Sequence, residues 1–133
     1  PFNHFWPHIT YYPLLGEERA WKADPVRTLM RPGLLVAGGS DSTVTPLGPL
    51  IGVHAAVNHS NPAERVGVQE ALELYTINAA RIGFEEGEKG SLEVGKLGDL
   101  AILGADPFQV TPDEIKDIPI EMTVLGGQVV YQR

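Results

Sequence analysis

Two periods of apolar residues organise this chain. Val68, Ala71, Leu72, Tyr75, Ala79 and Ile82 recur at spacings of three and four, with Leu74 and Ile77 widening the stripe. That is the helical period, and it predicts one helix over 68–82, stopped by Gly83. Residues 51–59 (IGVHAAVNH) carry a second helical stripe, and Asp24-Pro25 predicts a capped helix over Pro25–Met30. Elsewhere the apolar runs are short. Leu34-Leu35-Val36-Ala37 is too short for a helix and predicts a strand buried on both faces. Residues 120–125 and 128–131 flank Gly126-Gly127 and predict a tight hairpin. Residues 91–94, 99–103 and 9–12 read as further short strand pieces. Thr111-Pro112-Asp113-Glu114 has the form of a capping box and predicts a helical turn.

These elements divide the chain. Parallel-strand and helical material fills 1–85; a charged linker at 85–90 leads into β-type pieces over 86–133, the composition of part of a small β domain. Charge divides the same way. Residues 1–66 balance five basic against five acidic groups, whereas 67–133 hold five basic and twelve acidic. The acidic half argues against nucleic acid or an anionic membrane as a partner, since both need clustered Lys and Arg. No apolar run approaches the ~20 residues of a membrane span. The opening residues do not read as a secretory leader, so none is expected, and there is no cysteine, so disulfides and thiol nucleophiles are excluded within this stretch. A cytoplasmic, reducing location is the expectation. The first residue is Pro1, which points to a fragment or processed product.

Candidate chemistry centres on residues 34–42 (LLVAGGSDS). Asp41 follows a short apolar strand and two glycines, at the edge where barrel and doubly wound folds display catalytic groups. Local sequence leaves a second reading open, that Asp41 is a turn or cap aspartate. The loop 42–50 after it holds two prolines and belongs at a pocket mouth. His4 and His8 form a His-x3-His pair in an aromatic-rich start. Pro7 between them argues against the single helical face a metal needs, so they read first as loop histidines bonded to backbone, with a metal pair as the alternative. His54 and His59 lie five apart, share no helical face, and read as structural histidines.

Taken in order, GGSDSTVTPLGPLIGVHAAV, EALELYTINAARIGFEEGEKGSLEVGKLGDLAILGADPF and EMTVLGGQVVY resemble the C-terminal end of the amidohydrolase superfamily. Within it, they resemble the metal-dependent amidase branch that includes the N-substituted formamide deformylases and their YtcJ-like relatives. The most specific stretch is residues 90–100 (GSLEVGKLGDL), similar to a G-S-(I/L)-x-x-G-K-x-A-D-(L/I) signature with Gly98 in place of the usual Ala.

The resemblance implies an α/β fold: the C-terminal part of a (β/α)8 barrel plus part of a small β-sandwich. Strand 34–37 would be the eighth barrel strand. Asp41 would be its terminal aspartate, touching a divalent metal, zinc by expectation, and moving a proton during hydrolysis of a C–N bond. Ser40 and Ser42 would orient it, and Ser42, His4, His8 and Tyr11, with Trp6, would line the pocket for a small amide-type substrate. A barrel needs ~250 residues, and the sequence contains no His-x-His. The expectation is therefore an incomplete barrel that lacks most metal ligands and is inactive alone. Such a chain would self-associate through uncovered strand edges. The alternative is a non-catalytic folding or assembly module.

Overall fold

The computed structural model describes residues 2–5, 8–31 and 33–133, without the side chains of Phe2, Asn3 and His8. Four short helices come first: α1 (Phe2–Phe5), α2 (His8–Leu15), α3 (Glu17–Ala20) and α4 (Val26–Met30). The loop 33–48 leads into α5 (Pro49–Val57), a 3-10 turn (Pro62–Glu64), α6 (Val68–Glu73) and α7 (Ile77–Ile82). The rest carries β1 (Leu100–Leu103), a 3-10 turn (Pro112–Asp117), β2 (Ile120–Leu125) and β3 (Gln128–Gln132). The three strands form one antiparallel sheet in the order β1-β2-β3. Gly126 and Gly127 take positive φ between β2 and β3, as the tight hairpin requires.

Val53, Ala56, Val66, Ala71, Leu74 and Ile115 make one buried cluster. Ile115 comes from the 112–117 turn, far along the chain, and packs under α5 with no exposed surface. Thr111 opens that turn, its N–H and hydroxyl both donating to the Glu114 carboxylate at 2.9 and 2.7 Å. Among the described residues no helix is long and apolar enough to cross a membrane.

Four expectations about elements are corrected. Residues 9–12 lie in α2, not a strand: helical bonds such as Gly16 N–H to the Tyr12 carbonyl at 2.9 Å need no neighbouring strand. Residues 34–37 carry no ladder, and Leu34 and Leu35 are exposed. A strand is made by its neighbours, and no described residue pairs with this segment. Residues 91–93 are irregular and lead into a turn at 94–95: the Ser91 hydroxyl donates to the Glu93 carboxylate at 2.7 Å and accepts from Lys96 at 2.6 Å, a local network in place of a strand ladder.

The stripe over 68–82 is two helices, not one. The Leu74 carbonyl, which an unbroken helix would offer to Asn78, instead accepts the Gly38 N–H at 2.8 Å. Thr76 then departs from helical geometry at φ −126°, ψ −101°.

α4 is clamped to the turn and helix that follow α5. The buried Glu64 carboxylate accepts from the Thr28 N–H at 2.8 Å and from the Thr28 hydroxyl. Arg27 makes a two-pronged pair with Glu70, both contacts 2.9 Å, and its Nε donates to the Arg65 carbonyl.

Candidate active site around the Asp41 loop

Residues 36–39 form one wall of a cavity of about 320 Å3, closed by α5, by Leu74 and Tyr75, and by Asp24, Pro25 and His59. Asp41 stands two residues past that wall, exposed, with a left-handed φ of 51°. Aspartate is among the few residues that tolerate this region. Its carbonyl accepts the Val44 N–H at 2.7 Å, closing a turn, and the buried Thr45 hydroxyl donates to the Ser40 carbonyl.

The serines do not hold the carboxylate as expected. The Ser40 hydroxyl accepts the Ser42 N–H at 3.2 Å, a bond internal to the loop. Among the described residues nothing hydrogen-bonds the Asp41 carboxylate, so backbone placement alone aims it. A carboxylate on a pinned loop, facing solvent, is available to a substrate or to a proton in transit.

The other expected site residues fall in different places. Ser42 is in the loop itself, exposed. Tyr11 is half-buried in α2; burial raises its hydroxyl pKa, and the neighbouring Asp24 adds to the effect. Asp24 lines the cavity, and burial raises its pKa too, partly offset by His59. His4 packs edge-on against His54 of α5, ring centres 4.8 Å apart. Burial first, then His54 and Lys116, lowers the His4 pKa. The side chain of His8 and all of Trp6 lie outside the described residues.

His54 and His59 hold structure together, as their spacing suggested. The His59 Nδ1 accepts the Asn61 N–H at 3.0 Å, so its proton sits on Nε2, which donates to the Asp24 carbonyl at 2.9 Å. His54 Nδ1 lies 3.2 Å from the Pro112 carbonyl, tying α5 to the 112–117 turn.

Two residues that shape the site carried no signal beyond their place in a pattern. Thr45 reads as loop and is buried. Tyr75 reads as one more apolar position of a helical stripe, and its ring lies against Gly38 and Gly52.

The Amidohydrolase family model matches residues 2–131. The chain belongs to the amidohydrolase family. It is 36% identical over 129 residues to a Bacillus subtilis protein named as an amidohydrolase, YtcJ, covering 90% of this chain and 24% of that protein. It is 31% identical over 119 residues to the N-substituted formamide deformylase of Arthrobacter pascens, covering 84% of this chain and 22% of that enzyme. Among solved structures, an amidohydrolase from Thermotoga maritima superposes with a TM-score of 0.71 at 24% identity, over 96% of this chain and 30% of that one. That likeness speaks for the fold. The chain spans about a quarter of the length of the two relatives. Helices and a small antiparallel sheet are the α/β content it contributes.

A metal asks for converging ligands. Among the described residues no three His, Asp or Glu side chains come together to hold one. Asp41 offers a single carboxylate on an exposed loop, so the residues present do not fit a metal by themselves.

Proposed function

We propose that this chain is the C-terminal portion of an amidohydrolase that cleaves C–N bonds of amide or formamide type in small molecules. Residues 1–85 contribute helices and the segment 34–41 to its barrel, where 34–37 would gain pairing partners from the rest of the enzyme, and 86–133 contribute to a β-sandwich. Asp41 is its site carboxylate. The divalent metal expected of such an enzyme, zinc first, would take its remaining ligands from outside these residues.

The observation that carries the reading is Asp41 itself: an exposed carboxylate with no hydrogen bond among the described residues, on a loop whose backbone is pinned on both sides, in a chain of this family. The reaction asks for a group that accepts a proton from water as its oxygen bonds to the carbonyl carbon, then delivers it to the departing nitrogen. The products are a carboxylic acid and an amine. A solvent-facing carboxylate oxygen is a chemically suitable acceptor for that first transfer. Ser42, Tyr11, His4 and His8 are the candidates for contacts to substrate.

The test is Asp41→Asn in the full-length protein, assayed on a panel of N-alkyl and N-aryl formamides. Hydrolysis should fall by about 10²–10⁴-fold with the fold retained. Near-normal turnover would sink the assignment.

A second reading, an assembly unit without catalysis of its own, has one observation in its favour. All of β3 is exposed, as are Leu34 and Leu35, leaving apolar surface that further protein would cover. Sedimentation of the chain at high concentration should show self-association. Titration with zinc separates the readings further: tight stoichiometric binding to these residues alone would contradict both the assembly reading and the incompleteness of the site.

A further inference from the structure

We propose that Tyr75 is a positioning residue for Asp41: its ring, wedged between Gly38 and Gly52, sets where the Asp41 loop stands against α5. The inference rests on the reading of Asp41 as the site carboxylate. It adds to that reading the part of the fold that aims the group.

Three observations converge on this ring. A Cβ added at Gly38 would overlap Tyr75 ring carbons, and one added at Gly52 would overlap its ring and hydroxyl. The ring therefore occupies the space that side chains at both positions would need, and only glycine lets the loop and α5 approach it so closely. The residue before Tyr75 supplies the second hold, since the Leu74 carbonyl takes the Gly38 N–H at 2.8 Å. Third, Tyr75 borders both the 320 Å3 cavity behind residues 36–39 and a groove of about 680 Å3 between α5, α7 and β1. The ring is a wall shared by two open spaces, so its loss would leave the loop less support against moving inward.

The segment's other holds are few: Val36 packs on the core, and the Ser40 carbonyl takes the Thr45 hydroxyl. Residues 34–40 carry no ladder, and no described residue bonds the Asp41 carboxylate. Asp41 lies three residues beyond Gly38 and one beyond Ser40, whose carbonyl takes the Thr45 hydroxyl. A displacement at Gly38 reaches the carboxylate through that short span. Misplacing a reacting group by about 1 Å costs on the order of 10²-fold in rate.

The experiment uses the full-length protein with Tyr75→Phe, Tyr75→Leu, Gly38→Ala and the combined Gly38→Ala/Tyr75→Leu. Hydrogen–deuterium exchange over 36–44 reports loop placement without turnover, and kcat and KM on N-substituted formamides report its use. Tyr75→Phe keeps the wedge and should stay within about 3-fold of the parent in kcat. Tyr75→Leu and Gly38→Ala should each speed exchange at 36–44, leave the 112–117 turn protected, and lower kcat about 100-fold with KM little changed. The combined variant should recover part of both, because the new methyl fills space the ring has left.

Unchanged exchange at 36–44 in Tyr75→Leu would overturn the proposal. So would a combined variant no better than its worse parent, which also decides the matter if Tyr75→Leu alone does not fold. If Asp41→Asn proves active while exchange still follows Tyr75, the catalytic reading fails and the ring's hold on the loop stands.

Discussion

Truncating Ile115 to alanine tests whether the C-terminal part of the chain is built into the same core as the Asp41 segment. Ile115 has no exposed surface and packs with Val53, Ala56, Val66, Ala71 and Leu74. The substitution removes three carbons. At about 0.8 kcal/mol per buried CH2, the transfer loss is roughly 2.4 kcal/mol. A residual cavity adds to that, because α5 and the 112–117 turn are held by the Asn58 and His54 contacts to the Pro112 carbonyl and cannot close fully. The total is about 3–4 kcal/mol, within the ~2–5 observed for such truncations. Unfolding entropy near the midpoint is about 2.1 cal/mol/K per residue, so for 133 residues it is about 0.28 kcal/mol/K. The melting midpoint should then fall by about 11–14 °C, read by circular dichroism or dye-binding fluorescence. Phe84→Ala is the control: Phe84 is 92% exposed, and its loss should cost less than about 0.5 kcal/mol. An Ile115→Ala midpoint within about 3 °C of the parent would refute the packing. It would mean that the 112–117 turn does not fill the core under α5.

Glu64→Gln should cost about 1–3 kcal/mol, since the amide is a poorer acceptor for the two Thr28 donors. Burial alone would push the Glu64 carboxyl up. The Thr28 bonds, with His59 and Arg31, outweigh it and hold the group below its ordinary 4.5. A lowered folded pKa means stability that is complete above about 4.5 and lost as pH falls through the folded value. The gap between parent and Glu64→Gln should therefore be level from neutral pH to about 5 and close below that; denaturant titrations showing the opposite trend would contradict the clamp. Gly90→Ala should destabilise by about 2–4 kcal/mol, because Gly90 sits at φ +91° and a Cβ would lie 2.7 Å from Ala80 Cβ and 3.0 Å from Ile77 Cα. A thermal melt within 2 °C of the parent would show that this turn has more room than the structure gives it.

Local chemistry made part of this fold legible. Thr111 with Glu114 before the 112–117 turn, and the glycine pair between β2 and β3, each act over a few residues. Their outcome needs no distant partner. The cap expected of Asp24 does not form: α4 begins after Pro25 with no side-chain cap bond, and Asp24 takes a left-handed φ of 54° with its carbonyl held by His59. The 90–100 signature is local, since its Ser91, Glu93 and Lys96 bond one another within six residues. The order of these pieces carried the family resemblance, which the match over residues 2–131 supports. It also drew attention to Asp41, although a Ser-Asp after glycines is equally the chemistry of a turn.

Tertiary structure decided the rest, and the reason is the same in each case. Whether Leu34–Ala37 is a strand depends on neighbours that pair with it, and apolarity states only that the segment is to be covered. Whether 68–82 is one helix depends on a single carbonyl, that of Leu74, which serves Gly38 in place of Asn78. Whether Tyr75 is core filler or a wedge depends on two glycines, 37 and 23 residues upstream, that come to rest against its ring. Sequence pattern reports what a residue prefers to be near. It does not report which distant atoms arrive there, and in this chain such arrivals include the Leu74 carbonyl at the Gly38 N–H and the Tyr75 ring against Gly38 and Gly52.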